Sequence, residues 1–134
     1  NFAKEGGKSR HNLKYWHREE YIGIGPSAHS FFDNERYYCK SDVEEFISDK
    51  VQSMVVLEDD PDKAEEYVML GLRLTEGIDI DKAEELGGKE LGENNRKKAA
   101  LFQKQGLCVV EKGILRLTPA GFLASNSIIG ELLW

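Results

Sequence analysis

Gly106-Leu-Cys-Val-Val110-Glu-Lys-Gly113-Ile-Leu-Arg-Leu117-Thr-Pro119 is the stretch that decides the fold of the carboxyl-terminal half. Two short apolar runs flank the turn-forming triplet Glu111-Lys112-Gly113, and together they predict a β-hairpin. Alternation predicts that Leu107, Val109, Leu115 and Leu117 share its buried face. Thr118-Pro119 has the form of a helix start, with threonine as cap and proline where no N–H is needed. Phe122, Leu123, Ile129, Leu132 and Leu133 are expected on the inner side of that last helix.

Towards the amino end, Gly106 closes a polar helix expected from about Leu91 to Gln105. Gly87-Gly88 separates it from a short helix that Asp79 or Asp81 caps and that runs through Leu86. A further helix opens at Asp59-Asp60-Pro61, with Asp60 as cap, and continues through Tyr67, Val68, Leu70, Leu72 and Leu74 to Gly77. Its carboxyl half is apolar nearly all round, which implies burial between neighbours. Ser41-Asp-Val-Glu44 has the form of a capping box, and Val43, Phe46, Ile47 and Met54 mark a helix to about residue 54. Helices, hairpin and closing helix predict a winged-helix-like α/β-hairpin domain over residues 57–134.

Residues 1–40 read differently. They hold eight of the thirteen aromatic residues and show little helical periodicity. Tyr21-Ile22-Gly23-Ile24-Gly25 predicts a short buried strand that Pro26 ends, and Arg36–Cys39 a second, with Asp33-Asn34-Glu35 as the turn. One strand pair cannot cover so many rings, so residues 1–56 are expected to belong against chain that is not here. An opening at Asn1-Phe2-Ala3, with no initiator methionine, agrees with the carboxyl-terminal part of something longer. The class overall is α+β.

Composition sets the frame. At 134 residues, 40% hydrophobic and 31% charged, the chain is an ordinary globular sequence. No apolar run approaches the roughly 20 residues needed to cross a bilayer, and no signal-peptide pattern opens it, so a cytoplasmic setting is expected. Cys39 and Cys108 stand apart in no metal-ligand spacing and are expected as buried free thiols. The net charge of −6 is uneven: residues 41–95 carry 5 Lys/Arg against 17 Asp/Glu, and residues 96–134 carry 6 against 2. Arg96, Lys97, Lys98, Lys104 and Lys112 sit where a winged helix would touch DNA. The acidic neighbours argue against nucleic acid as partner, because they weaken any duplex contact.

Two motifs carry the candidate chemistry. In His11-Asn-Leu-Lys-Tyr15-Trp16, the imidazole can ligate haem iron while Tyr15 and Trp16 wall the macrocycle; plain aromatic packing is the other reading. In Gly23-Ile-Gly25-Pro-Ser-Ala-His29-Ser30, the glycines let a backbone approach a ligand closely. The spacing is not the dinucleotide fingerprint, and no partner completes a hydrolase site at His29 and Ser30. Glu58-Asp59-Asp60 with Asp62 reads as a solvated helix start.

Arg10-His-Asn-Leu-Lys-Tyr-Trp16 with Tyr21-Ile-Gly-Ile-Gly-Pro-Ser-Ala-His-Ser30 resembles the oxygen-independent coproporphyrinogen III oxidase-like radical S-adenosylmethionine family, nearest its HemW-type branch. Glu66-Tyr-Val-Met-Leu-Gly-Leu-Arg-Leu74 and Leu115-Arg-Leu-Thr-Pro-Ala-Gly121 extend the resemblance over essentially the whole chain. It implies that residues 1–56 are the last strands of a truncated partial β/α barrel plus a connecting helix. The full-length protein would hold a [4Fe-4S] cluster on a cysteine triad and cleave S-adenosylmethionine to a radical, as an oxidoreductase of porphyrin biosynthesis or as a haem chaperone. Carried over by residue, Ile24, Gly25, Ala28 and His29 lie on the S-adenosylmethionine side, and His11, Tyr15 and Trp16 on the haem side. The oxidase branch carries an aliphatic residue where this chain has His29, which favours haem delivery to an accepting protein. No cysteine triad is present, so this chain is expected to hold no cluster and to be inactive alone, with no catalytic or metal-ligating residue assigned. Decarboxylation of coproporphyrinogen III and a stand-alone winged-helix binding module are the alternatives.

Overall fold

In the computed structural model, which describes residues 3, 4, 6–48, 55–57 and 62–134, the chain folds as two units, 1–60 and 61–134. The first contains α1 (Arg10–Trp16), β1 (His29–Phe32), β2 (Glu35–Cys39), α2 (Val43–Ile47) and β3 (Val55–Leu57). Its strands form an antiparallel sheet in the order β1-β2-β3, with Ser30 opposite Tyr37 and Tyr38 opposite Val56. Asp33 and Asn34 take φ of 52° and 60°, the left-handed pair of a two-residue hairpin turn that matches the strand twist.

That turn moves the expected first strand. Residues 21–25 form no strand; only Tyr21 makes a single bridge, to Phe31. With two turn residues, the partner of Glu35–Cys39 has to be His29–Phe32, while Gly23, Gly25 and Pro26 loosen the backbone before it. The expected helix to residue 54 is also corrected. α2 spans Val43–Ile47, and its cap is Asp42, whose carboxylate accepts the Glu45 N–H at 2.9 Å, rather than Ser41. Met54 lies outside the described residues, and the sequence reading did not anticipate β3.

The second unit contains α3 (Lys63–Gly71), β4 (Ile78–Asp79), α4 (Ile80–Lys104), β5 (Cys108–Glu111), β6 (Ile114–Leu117), α5 (Pro119–Leu123) and α6 (Ser125–Leu133). Asp62 caps α3, accepting the N–H groups of Ala64 and Glu65 at 2.8 and 3.1 Å; Asp60 and Pro61 lie outside the described residues. α3 ends at Gly71, not Gly77, because residues 72–76 turn the chain so that Ile78 and Asp79 can pair with β6. The sheet order is β4-β6-β5, antiparallel throughout. Asp79 caps α4, which kinks at Gly88 (φ 85°, ψ 171°) into the short and the polar helices expected.

In the hairpin, Lys112 and Gly113 form a two-residue turn at φ 51° and 82°, and Glu111 pairs with Ile114. The buried face of β5 is therefore Cys108 and Val110, opposite Leu117 and Leu115, and Val109 is exposed. Thr118 and Pro119 open α5 as expected, the threonine Oγ1 accepting the Gly121 N–H. The closing helix breaks at Ala124, which turns Leu123 out to solvent (84% exposed) and brings Ile128 inward. Val68 of α3 and Leu72 just after it, Ala83, Ala99 and Phe102 of α4, the sheet's Ile78, Cys108, Leu115 and Leu117, and Ile128, Ile129 and Leu132 of α6 form one core with Ile80. Asn94 and the fully buried Asn95 donate to the carbonyl of Leu132 at 3.0 and 2.8 Å, satisfying a helix end that has no intrahelical donor.

Candidate functional site

The seven site residues expected from sequence all lie in the first unit. Ser9 starts α1 as its cap, and a two-turn helix follows in a stretch that shows little helical periodicity. Helical spacing sets His11 beside Tyr15 and Asn12 beside Trp16, each pair one turn apart. His11 Nε2 and the Tyr15 hydroxyl are 2.9 Å apart, and the two rings meet edge to face at 5.0 Å and 90°. α1 buries none of its residues, so the imidazole is open to a large planar ligand; Trp16 is half-buried.

The second motif supports the first. Tyr15 packs edge-on against Tyr21 (4.6 Å, 79°), and Tyr21 exchanges both backbone hydrogen bonds with Phe31, at 2.7 and 2.9 Å. Gly23 donates its N–H to the Oγ of buried Ser30 at 3.0 Å. Tyr21 is thus the residue through which the two motifs become one assembly, a role that spacing alone does not announce.

Gly25-Pro26-Ser27-Ala28 is a tight turn closed by Ala28 N–H to Gly25 O at 3.1 Å, with proline second and Ser27 at φ 60° third. This is the type II pattern. It projects Ile24 into solvent (91% exposed) and leaves Gly25 and Ala28 half-buried beside it. His29 stacks on Tyr38 at 5.5 Å and 29°, its direct partner across the hairpin. Ile24, Gly25, Ala28 and His29 therefore surround one turn, whereas His11, Tyr15 and Trp16 share α1. Tyr38 was missed in the sequence; the signal was the Asp33-Asn34 turn, which sets it opposite His29.

Among the described residues no group of three His, Cys, Asp or Glu is placed to hold a metal ion. Cys39 and Cys108 are both free and buried, in different units. That donor set does not fit a [4Fe-4S] cluster, which needs thiolates from several cysteines at one point. Burial pushes the Cys108 thiol up from its ordinary range, and its Sγ donates to Ala99 O at 3.4 Å. A raised thiol means that the unfolded chain ionises first, so stability is expected to fall as pH rises past the ordinary thiol range. Accordingly, both thiols should resist Ellman's reagent in the native state and react fully in denaturant, and Cys108→Ala should flatten the alkaline loss. Rapid native labelling of Cys108 would contradict its burial.

Of the basic residues placed where a winged helix would touch DNA, Arg96 and Lys98 are engaged by carboxylates, while Lys97, Lys104 and Lys112 are exposed. Arg96 bonds Glu84 and, at 2.7 Å, Asp81, which together hold its guanidinium even more firmly charged. Lys98 pairs with Glu131 at 2.7 Å, and Arg116 donates to Glu76 O at 3.2 Å. These contacts offset the charge that a phosphate backbone would need.

Residues 59–124 match the family described as the HemN C-terminal domain. The heme chaperone HemW of Bacillus subtilis is 30% identical over 145 residues, covering 99% of this chain and 36% of that protein. The chain is similar to HemN/HemW-like radical S-adenosylmethionine proteins along nearly its whole length. A mitochondrial radical S-adenosyl methionine domain-containing protein 1 of Dictyostelium discoideum is 27% identical, over 94% of this chain and 34% of its own length. The chain thus spans about a third of the length of these relatives. The fold is shared with the coproporphyrinogen III oxidase HemN of Escherichia coli, described as a radical SAM enzyme. Its TM-score is 0.58 at 14% identity, over 86% of this chain and 28% of that one. No described helix is long and apolar enough to cross a membrane.

Proposed function

We propose that this chain is the carboxyl-terminal part of a cytoplasmic HemW-type protein of porphyrin or haem metabolism, and that its α1 face contacts haem as cargo bound for an accepting protein. In this reading residues 1–56 are the end of a partial barrel with its connecting helix, and residues 57–134 are a winged-helix-like covering domain. The observation that carries it is the open imidazole of His11 on a helix that buries none of its residues, with Tyr15 and Trp16 on the same two turns. An exposed imidazole can reach an iron centre, and flanking rings supply apolar contact to a macrocycle. The likeness to the Bacillus subtilis heme chaperone over nearly the whole chain supports it.

The turn around Ile24, Gly25, Ala28 and His29 fits one wall of an S-adenosylmethionine site. Ile24 offers exposed apolar surface, and His29 with Tyr38 offers a flat aromatic pair. With a cluster held elsewhere in the longer protein, that group would supply a 5′-deoxyadenosyl radical. The residues here would only position it, with Ile24 as apolar surface and the His29–Tyr38 pair as a flat wall. The carboxylate partners of Arg96 and Lys98, in a segment whose neighbours are acidic, speak for packing rather than nucleic-acid binding.

Titrating the chain with haemin tests the cargo reading. The expected result is a shifted Soret band for the native sequence and its loss, with affinity at least about tenfold weaker, in His11→Ala, as for removal of an iron ligand or its support. An identical spectrum and affinity in His11→Ala would remove His11 from the site.

A further inference from the structure

The geometry points to Tyr15 as a latch on His11, whose hydroxyl must leave Nε2 before that nitrogen can bind iron. This rests on the haem-contact reading of α1 and deepens it. A neutral imidazole has one protonated nitrogen and one with a free lone pair. At 2.9 Å, the Nε2 of His11 is hydrogen-bonded to the Tyr15 hydroxyl. If the hydroxyl donates, its proton occupies the Nε2 lone pair. If Nε2 donates, that nitrogen carries the proton itself. In both cases Nε2 has no lone pair to offer a metal while the bond stands. Nδ1 is the poorer alternative, because it sits next to Cβ and would bring a macrocycle against the helix backbone.

The latch is built in rather than accidental. The Tyr15 ring stands edge-on between His11 at 5.0 Å and Tyr21 at 4.6 Å. Tyr21 cannot yield easily, since two backbone hydrogen bonds tie it to Phe31, whose ring is buried. Tyr15 itself is 38% exposed, so its hydroxyl can trade His11 for water. Opening is therefore cheap but not free. A net hydrogen bond of this kind corresponds to about a fivefold change in an equilibrium. The consequence suits a cargo that has to be handed on: the hydroxyl competes with iron for Nε2 and recaptures it as the cargo departs.

Tyr15→Phe isolates the effect, because it keeps the ring and both aromatic contacts and removes only the hydroxyl. Haemin titration of the chain should show about fivefold tighter binding for Tyr15→Phe than for the native sequence, at the same Soret position. Transfer of haem from the variant to apomyoglobin should be slower by a similar factor. In the ligand-free chain, the His11 Nε2 resonance in ¹⁵N NMR should move on loss of the hydroxyl. Equal or weaker haemin binding by Tyr15→Phe, with His11→Ala still defective, would overturn the latch and spare the haem reading. Identical haemin binding by His11→Ala and the native chain would overturn the haem reading. An Nε2 resonance unmoved in Tyr15→Phe would overturn the latch whatever haem does.

Discussion

Gly77→Val is expected to abolish cooperative folding of residues 61–134 near room temperature, or to leave it barely stable. Two independent costs coincide at this residue. Its φ is 75°, in the left-handed region where a β-branched side chain is penalised by about 1–2 kcal/mol or more. Space is the second cost: a β-carbon on Gly77 would overlap the carbonyl oxygen of Leu115 and crowd Arg116 Cγ at 2.8 Å. Leu115 belongs to the central strand β6 and is fully buried, so the strand cannot step aside without dragging the core with it. Overpacking of that kind costs about 1–3 kcal/mol. Together the terms reach about 2–5 kcal/mol, against a total of about 5–10 kcal/mol for a small unit. Urea unfolding followed by far-UV circular dichroism reads the loss directly. A midpoint within error of the native chain would show that the turn before β4 relaxes freely, and Gly77→Ala should fall between the two.

The same turn shows what could be read from sequence and what could not. Gly77 was legible as a stop, but a stop for the wrong element, because α3 already ends at Gly71. Leu72 and Leu74 continue an apolar pattern that a helix would also produce; both are buried by turns folded onto the core. A strand of two residues, Ile78 and Asp79, leaves no periodicity to detect. The hairpin was legible because both strands alternate and a glycine follows a lysine at the turn. Its face was off by one on β5, since Lys112 takes a left-handed φ that favours glycine or asparagine and gives no sequence signal. Counting three turn residues instead of two puts Val109 on the face that Cys108 and Val110 occupy, the usual consequence of a one-residue slip, whereas Leu107, just before the strand, packs against the core as expected.

For the candidate site, motif recognition outran local structure. His11, Tyr15 and Trp16 stood out by residue type, yet the two-turn helix that aligns them is too short, and too little buried, to show an apolar period. Ser9 ahead of His11 was the available cue, as a cap residue at a helix start. The contact from Tyr15 to Tyr21 depends on a bridge between residues ten apart in sequence, and no pattern within one element encodes that.

Gly23→Ala is the substitution expected to damage the site most while replacing none of its ligand-facing residues. A β-carbon on Gly23 would overlap the carbonyl oxygen of His29 and press Ala28 Cβ at 3.0 Å. The backbone on either side has little room to yield. Two residues before, Tyr21 is tied to Phe31 by paired hydrogen bonds; opposite, the Ala28 carbonyl accepts the Cys39 N–H at 2.8 Å. Either the Gly23–Ser30 bond breaks, which leaves the buried Ser30 hydroxyl without this partner, or Tyr21 shifts. An alanine methyl forced into such a contact costs about 1–3 kcal/mol, and a stranded buried polar group about 1–3 kcal/mol more. Movement at Tyr21 carries to Tyr15 through their edge contact, and from there to the hydroxyl on His11. Gly23→Ala should therefore displace the His11 and Tyr15 side-chain resonances and weaken haemin binding, although both residues are unchanged. Ser30→Ala, which removes the hydroxyl without adding bulk, should do so more mildly. If Gly23→Ala lowers stability but leaves those resonances in place, the glycine-rich turn and the α1 face are independent structures, and Tyr21 does not join them.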